Sequence, residues 1–210
     1  MKEIYIVLIR AYTGLGNIGR FATGFEYTHA AVCLDKKLRD FISFSRRSHY
    51  LPFDAGFTHG KREYYAFGDH KNFKAKVFRI KVGDKEYRKL SEFFSYCEND
   101  SEIIFDIFSM ATMGIFHGTK IYKAYNCMSF TAKALEICGI ELKKPYYRYS
   151  LKDIDELLSG GDYFEGWIKR DEITDQKRYM TRYSATENIY YGLILMCKII
   201  KRIWGKTYEK

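Results

Sequence analysis

The segment from Asn126 to Gly139 carries the strongest constraint in this 210-residue chain, because a helix start, a helix stop and a cysteine fall in one short stretch. Asn126 can cap a helix by accepting a backbone N–H bond, and Gly139 can end it in the left-handed conformation that glycine tolerates. Cys127 then lies in the first turn, where unpaired N–H groups and the positive end of the helix dipole favour a thiolate. We therefore predict a helix with an activated thiol at its N-terminus.

A histidine near the start of a strand supplies a candidate base for that thiol. The run Tyr27–Leu34 predicts a strand that carries His29 near its beginning. A cysteine at a helix start and a histidine on a sheet are the two halves of a thiol-hydrolase site. The other cysteines lie in apolar runs and are expected to pack as small hydrophobic residues: Cys33, Cys97, Cys138 and Cys197.

Composition indicates one folded domain with a basic tail. Apolar residues make up 47% of the chain, which excludes a disordered protein, and the length is sufficient to bury a core. The net charge is +9, and residues 176–210 hold eight basic and two acidic residues, so they carry +6 and residues 1–175 carry +3. We predict a main domain at 1–175 and a tail at 176–210 that suits an anionic surface.

Hydrophobic patterns predict strands and helices that are segregated along the chain. Strands are predicted at 4–9, 28–34, 39–46, 75–82 and 164–169, and helices at 84–99, 103–116, 127–138 and 151–158. Residues 47–69 are rich in glycine, histidine and aromatic residues and predict a long loop, while 170–188 predict a polar linker. Segregated elements favour the α+β class.

The order of these segments resembles one branch of the papain-like cysteine hydrolases. In that branch the strand with the histidine precedes the helix with the cysteine, as His29 precedes Cys127. The segments that carry the resemblance are Leu8–Arg10, Phe21–Thr23, Tyr27–Val32, Phe41–Arg46, Tyr125–Phe130 and Gly139–Ile140. Over residues 4–170 the chain is thus similar to the permuted papain-like proteins of the NlpC-type superfamily, in the YiiX/YaeF-like and lecithin:retinol acyltransferase-like branch.

The resemblance implies a fold and a reaction. The fold is a permuted papain-like α+β fold, in which an antiparallel sheet packs against the helix with the cysteine at its N-terminus. The reaction is cleavage of an amide or ester bond through a thioester on Cys127, with His29 as the base and no cofactor. A peptide, a cell-wall fragment and a lipid stay open as acyl donors. A catalytically silent member that binds lipid or peptide in the same groove stays open as well.

A papain-like site also needs a third polar group that orients the histidine. With a turn at 35–37, both Ser43 and Ser45 face His29 by the period of two along a strand, and the resemblance favours Ser43. His59 is a second candidate, on the predicted loop. Tyr27 is a candidate second donor to the oxyanion, beside the Cys127 N–H. The candidates for substrate binding are Tyr27, Tyr125 and His59.

The run Gly14–Gly19 matches the dinucleotide-binding pattern G-x-G-x-x-G, with Asp35 at the end of the next predicted strand. Four residues separate Ile9 from Gly14, whereas that fingerprint needs its turn at the strand end. Residues 20–28 are also too short for a crossover helix. We therefore expect a loop that borders the groove.

Residues 189–204 predict an apolar helix that Lys198, Lys201 and Arg202 interrupt on one side. Sixteen residues with three charges do not span a bilayer. Such a helix suits the surface of an anionic membrane, and it equally suits docking on the core or on a second subunit. The basic residues show no recognition module for nucleic acid, so we expect none to bind.

Cysteine spacing and the N-terminal residues predict the compartment. The five cysteines are odd in number and lack the paired spacings of metal sites or disulfide frameworks. Residues 4–9 form an apolar run that is too short for the core of a signal peptide. We expect a cytoplasmic protein without a metal site, peripheral to a membrane if the tail binds lipid.

Overall fold

The computed structural model describes residues 1–12, 20–21, 23–116, 118–171, 177 and 179–205, and within these ranges the protein has the predicted α+β architecture. The strands are β1 (Lys2–Ile9), β2 (His29–Cys33), β3 (Phe41–Ser48), β4 (Leu51–Gly60), β5 (Asn72–Val82), β6 (Ile104–Phe105), β7 (Ala124–Tyr125) and β8 (Asp162–Lys169). The helices are α1 (Arg62–Tyr65), α2 (Asp84–Asn99), α3 (Ile107–Phe116), α4 (Cys127–Ile137), α5 (Leu151–Leu158) and α6 (Ala185–Gly205), with a 3-10 turn at Tyr146–Arg148.

Six of the strands form one antiparallel sheet in the order β4-β3-β2-β1-β5-β8. β1 lies inside the sheet and pairs with both β2 and β5, and both of its faces are covered, which explains the unbroken apolar run Ile4–Ile9. β6 and β7 form a separate two-residue parallel pair. The order places β2 and β3, the strands of His29 and Ser43, side by side.

Each face of the sheet carries its own apolar core. On one face α4 packs on β2 and β3, and its Phe130 lies against Phe44 and Phe94. On the other face a smaller core includes Phe41 and Tyr65, whose rings meet edge to face. Because side chains alternate along a strand, neighbouring residues of β2 and β3 enter different cores.

Local capping fixes the ends of α4 as the sequence predicts. The side chain of Asn126 accepts hydrogen bonds from the backbone N–H groups of Met128 and Ser129, at 3.0 and 2.9 Å. Gly139 has a φ of +84°, the left-handed conformation in which a helix commonly ends. The amino end of α4 is therefore held in a defined position, and Cys127 is its first residue.

Residues 47–69 are not the long loop that the sequence predicts. β3 continues to Ser48, β4 spans Leu51–Gly60, and α1 follows at Arg62–Tyr65. β4 is an edge strand, so it tolerates Pro52, and most of its side chains are half-buried without a period of two. Apolar and polar residues do not alternate along this strand, so the sequence does not reveal it. Pairing with β3 and contact with α6 determine its conformation.

The apolar segment 103–116 is only in part the predicted helix. Ile104 and Phe105 form β6, which pairs in parallel with Ala124 and Tyr125, and α3 begins at Ile107. Asp106 separates the two elements, and its Oδ1 accepts the backbone N–H of Ser109 at 2.8 Å. A capping carboxylate therefore starts the helix after the strand.

Positions 13–19 lie outside the described residues, and they include the run Gly14–Gly19 that matches the dinucleotide-binding pattern. Asp35, which that pattern would use as a ribose ligand, stands in the β2–β3 turn. Its Oδ1 accepts the backbone N–H of Lys37 at 2.7 Å, and its carbonyl accepts that of Leu38 at 3.1 Å. The role of Asp35 in the structure is thus to close a turn.

Helix α6 packs on the edge of the sheet through one of its faces. Leu195 and Ile199 are buried in the main core, and Gly192 lies against the ring of Phe53 on β4. The guanidinium of Arg202 donates to the carbonyls of Tyr122 and Lys123, at 3.1 and 2.9 Å, and also to that of Glu102. The sequence leaves open whether this helix lies on a membrane, on the core or on a second subunit. The structure has its inner face packed on the core.

Candidate active site

A hydrogen bond joins His29 and Ser43 across two neighbouring strands. Nε2 of His29 lies 3.0 Å from Oγ of Ser43. His29 begins β2 and is half-buried, whereas Ser43 lies inside β3 and is fully buried. Of the two serines that the sequence leaves open, Ser43 is the one that meets the histidine, because Oγ of Ser45 lies 2.9 Å from Oγ1 of Thr58 on β4.

The His29–Ser43 contact lies where β2 and β3 separate. The two strands pair through their backbones at a single position, Val32 with Ile42. Between this pair and His29, no other backbone pair joins these two strands in the described part of the chain. We call this gap the seam. A bond between two side chains bridges the seam where a sheet would normally have backbone hydrogen bonds.

Cys127 begins α4, and its thiol lies at the same seam. Backbone N–H groups of Ala30, Met128 and Cys127 itself are close enough to the thiol to stabilise its thiolate form. Ala30 directly follows His29 on β2, so the helix start meets the strand of the histidine. The structure thus places the Cys127 thiol against β2 at the residue that follows His29, with Cys127 only 5% exposed, while the His29–Ser43 bond lies beside Tyr65.

Burial sets the charge states of the cysteine and the histidine. It raises the pKa of the Cys127 thiol to about 11, and the three N–H groups oppose this rise only in part. Burial, together with the smaller effect of the Arg46 charge, lowers the pKa of His29 to about 4. Both groups are therefore neutral at neutral pH. The lowered thiol pKa that the helix start predicts is wrong for this structure, because desolvation outweighs the helix end.

Tyr65 belongs to this group of residues, and the sequence analysis missed it. Its ring centre lies 5.7 Å from that of His29. Burial raises the pKa of Tyr65, and the hydroxyl of Ser43 is close enough to its hydroxyl to oppose that rise. Gly60 leaves room for the tyrosine, since a Cβ there would lie 2.9 Å from the hydroxyl oxygen. Tyr65 stands in the segment predicted to be a loop, and no pattern in the sequence marks it.

Tyr27 is buried next to the site, but its hydroxyl points to another group. It donates to Oε1 of Glu165 on β8 at 2.8 Å, and Nζ of Lys74 lies 3.1 Å from the same oxygen. Burial is the main cause of a raised Tyr27 pKa, and the bond to Glu165 adds to it. This engagement does not suit a donor that must be available to an oxyanion.

His59 and Tyr125 lie outside the group at the seam. Nδ1 of His59 lies 2.8 Å from Oδ2 of Asp40, and this hydrogen bond is the main reason why the pKa of His59 is raised. His59 of β4 pairs with Ile42 of β3, whereas Thr58 pairs with Ser43. The side chain of His59 therefore lies on the opposite face of the sheet from those of Thr58 and Ser43. Tyr125 precedes the helix cap and is half-buried, and its ring packs on those of Phe44, Phe93 and Tyr146.

Two cavities form among the described residues. The larger, of about 460 Å³, lies between β5 and the end of α5 and is lined by Phe78, Leu157 and Asp162 among others. None of the three residues at the seam lines either cavity. Among the described residues, no three histidine, cysteine, aspartate or glutamate side chains come together as they do in a metal site.

No protein-family model, no curated protein and no solved structure matches this chain.

Proposed function

We propose that this protein is a cysteine hydrolase or acyltransferase of permuted papain-like fold, which cleaves an amide or ester bond through a thioester on Cys127. The observation that carries the proposal is the His29–Ser43 hydrogen bond, together with a thiol at a helix start that lies near the N–H of Ala30, the residue after His29. In the tautomer with its proton on Nε2, His29 donates to Ser43 and keeps a lone pair on Nδ1. In the proposed mechanism this lone pair takes the thiol proton, as a general base does.

The proposed reaction has two halves. Sγ of Cys127 attacks the carbonyl carbon while its proton moves to Nδ1 of His29, and a tetrahedral intermediate forms. When the carbon–nitrogen or carbon–oxygen bond breaks, the leaving amine or alkoxide takes that proton, and the acyl group stays on sulfur as a thioester. Water, or the hydroxyl or amine of an acyl acceptor, then attacks the thioester and gives its proton to His29. Collapse of this second intermediate returns the proton to Sγ and releases the product.

Two donors next to Cys127 suit the negative charge on the carbonyl oxygen in the proposed reaction. One is the backbone N–H of Cys127, which as the first residue of α4 has no carbonyl within the helix to bond. The other is Nδ2 of Asn126, a buried donor without a hydrogen-bond partner among the described residues. Oδ1 of the same side chain caps the helix, so the amide is held in a fixed orientation.

The proposal includes a reducing compartment. All five cysteines are free. A nucleophilic thiol needs an environment that keeps it reduced, and the cytoplasm provides one. We therefore propose a cytoplasmic enzyme that acts on an amide- or ester-containing substrate.

The test is acyl transfer from an activated ester to the protein. p-Nitrophenyl esters of short and long acyl chains are incubated with the full chain, and mass spectrometry locates the acyl group after rapid acid quench. We expect a thioester on Cys127, lost in Cys127→Ala and slowed at least about a hundredfold in His29→Ala. Cys197→Ala is the matched control, since Cys197 is exposed on α6, and it should acylate as the wild type does. Acylation that persists in Cys127→Ala would exclude the proposed nucleophile.

A second candidate function is binding without catalysis, by a silent protein of the same fold. One observation favours it: the thiol pKa is about 11 and the imidazole pKa about 4. Burial thus disfavours transfer of the proton from sulfur to His29 in this structure, and a reactive site must reduce that cost when substrate binds. Among the described residues there is also no hydrogen bond between the thiol and the imidazole.

The two candidates differ in what Cys127→Ala does to ligand binding and turnover. If the protein binds without catalysis, the same fatty-acyl or peptide ligand should raise the melting temperature of the wild type and of Cys127→Ala equally. No thioester should form in either. An enzyme would accumulate or turn over the thioester in the wild type only. The comparison uses the same esters as above, with melting temperature and product release as the two readings.

A further inference from the structure

Helix α6 has a second apolar face, which is exposed to solvent, whereas the outer face of a surface helix is normally polar. Its inner face is buried on the sheet edge through Leu195 and Ile199. Its outward-facing apolar side chains recur every three or four residues, so they form one stripe along the helix. We call this set the outer stripe, and its members are between 37% and 72% exposed: Ile189, Leu193, Met196, Ile200, Ile203 and Trp204.

Positive charge accompanies the outer stripe. Lys198 and Lys201 are exposed on the same helix, and Glu187 is its only acidic residue. Residues 176–210 together carry +6 of the net charge of +9. At about 100° per residue Lys201 lies nearer to the outer stripe, whereas Lys198 lies on the opposite side of the helix. A helix with a large apolar stripe, aromatic residues and lysines outside the stripe has the composition of helices that lie in the plane of a bilayer surface. None of the helices in the described ranges has the length and apolar composition needed to cross a bilayer.

We propose that the outer stripe of α6 inserts into the interfacial region of an anionic lipid bilayer, while the inner face keeps the protein body attached to the helix. Insertion removes the apolar stripe from water, and anionic headgroups attract Lys201 together with the other basic residues of the tail. Trp204 and Tyr190, both strongly exposed, have the amphipathic rings that favour headgroup depth. This inference is independent of the catalytic proposal, because it uses no residue of the seam.

A second copy of the chain is the competing occupant of the outer stripe. The stripe repeats with a spacing of four and three residues from Ile189 to Ile203, which also suits pairing of two helices. Charge favours lipid over this alternative: two copies bring together two tails of +6 each, whereas an anionic surface attracts them. The experiment below separates the two.

Binding is measured by sedimentation of the full chain with vesicles of phosphatidylcholine containing about 30% phosphatidylserine, against phosphatidylcholine alone. We expect binding to the anionic vesicles, which added salt weakens. Lys201→Gln should reduce affinity about fivefold, and Lys198→Gln, on the opposite side of the helix from the stripe, should reduce it less. Leu193→Glu with Ile200→Glu should reduce it by more than about tenfold, because two charges then enter the apolar stripe.

The matched control places two glutamates on exposed aromatic residues at the other edge of the sheet. Phe164→Glu with Trp167→Glu changes β8, whereas α6 lies on β4, so vesicle binding should stay within about twofold of the wild type. A measurement without a charged substitution uses Trp167→Phe, which leaves Trp204 as the one tryptophan of the chain. Its fluorescence should be quenched by brominated phospholipid when the protein is bound.

Three outcomes would overturn the proposal. The first is equal binding by wild type and the Leu193→Glu, Ile200→Glu variant. The second is bound protein in which Trp204 is not quenched. The third is no vesicle binding, together with a dimer in light scattering that Leu193→Glu with Ile200→Glu converts to a monomer. In that case the outer stripe binds a second copy of the chain.

Discussion

The hydroxyl of Tyr27 donates to Oε1 of Glu165 at 2.8 Å, so this tyrosine links the segment that precedes β2 to β8. Lys74 joins the same group, with Nζ 2.9 Å from Glu26 and 3.1 Å from Glu165. The network holds Tyr27 in place beside the seam and occupies its only hydrogen. Its contribution is therefore to position the chain ahead of His29.

The Tyr27 bond predicts a small catalytic effect of Tyr27→Phe. We expect acylation of Cys127 to slow by less than about threefold, because the hydroxyl is not an oxyanion donor, whereas loss of such a donor costs about a hundredfold or more. Asn126→Asp is the contrasting variant, since it keeps the capping oxygen and removes the Nδ2 donor. It should slow acylation by about a hundredfold while the folded protein retains its helical circular dichroism. The reverse order of the two rates would contradict the assigned donors.

The His29–Ser43 bond predicts that Ser43→Ala impairs acylation and that Ser45→Ala does not. Without Ser43 the imidazole loses the partner that fixes its tautomer and direction, and a misoriented base costs on the order of a hundredfold. Ser45 bonds Thr58 instead, so its removal should change the rate by less than about threefold. Single-turnover acylation of purified variants measures both. Equal rates for the two variants would remove Ser43 from the site.

The raised thiol pKa predicts the order in which cysteines alkylate. With iodoacetamide at about pH 7, Cys197 should react before Cys127, because Cys197 is exposed and the thiol of Cys127 has a pKa of about 11. Alkylation of Cys127 should then accelerate about tenfold for each pH unit up to about pH 10, as the thiolate fraction grows. Peptide mapping by mass spectrometry gives both rates. Rapid modification of Cys127 at neutral pH would mean that a thiolate is already present.

The lowered pKa of His29 predicts a loss of stability in acid. The folded protein holds His29 neutral down to about pH 4, whereas the unfolded chain takes up the proton near its ordinary value of about 6.5. The free energy of unfolding should therefore fall as pH decreases between these values, by up to about 3 kcal/mol from this residue.

His29→Gln should flatten that dependence, which urea unfolding at several pH values measures. His59 has the opposite sign, since its pKa is raised by Asp40. His59→Gln should therefore remove stability that is present below about pH 6.5 and make acid unfolding steeper. The same slope in His29→Gln as in the wild type would show that His29 is not held neutral.

The two faces of α6 predict a sharp difference between neighbouring isoleucines. Ile199 is 1% exposed and Ile200 is 48% exposed. Ile199→Ala should reduce the free energy of unfolding by about 2–4 kcal/mol, because it leaves a cavity in the main core. Ile200→Ala should change it by less than about 0.5 kcal/mol. Denaturant titration of the two variants measures this, and equal losses would mean that α6 does not dock as described.

The parts of the structure that follow from local chemistry were accessible from the sequence. Asn126 and Gly139 bound α4 because a cap and a left-handed glycine act within a few residues. The turn at Asp35 fixes the β2–β3 hairpin in the same local way. Once the hairpin and the helix are known, the period of two along β3 narrows the partner of His29 to two serines.

Structural features that depend on residues far apart in the chain could not be predicted from the sequence. β4 owes its conformation to pairing with β3, and Tyr65 reaches the site only because β4 and α1 return the chain to it. The thiol pKa is a second case, since the sequence shows the helix end that lowers it but not the burial that raises it more strongly. The docking of α6 is a third, because both of its faces are apolar and the sequence does not say which one meets the core.

The single backbone pair between β2 and β3 makes the sheet two blocks joined by one rung, Val32–Ile42. Cys127 and His29 approach the rung from the side of β2, while Ser43 lies on the block of β3 and β4, to which α6 is fastened. Few backbone hydrogen bonds join the two blocks in the described part of the chain, and the packing of α4 on both β2 and β3 also holds them together. A pull on α6 would reach this junction through β4 and β3, where the Val32–Ile42 pair, the His29–Ser43 bond and the packing of α4 would resist it.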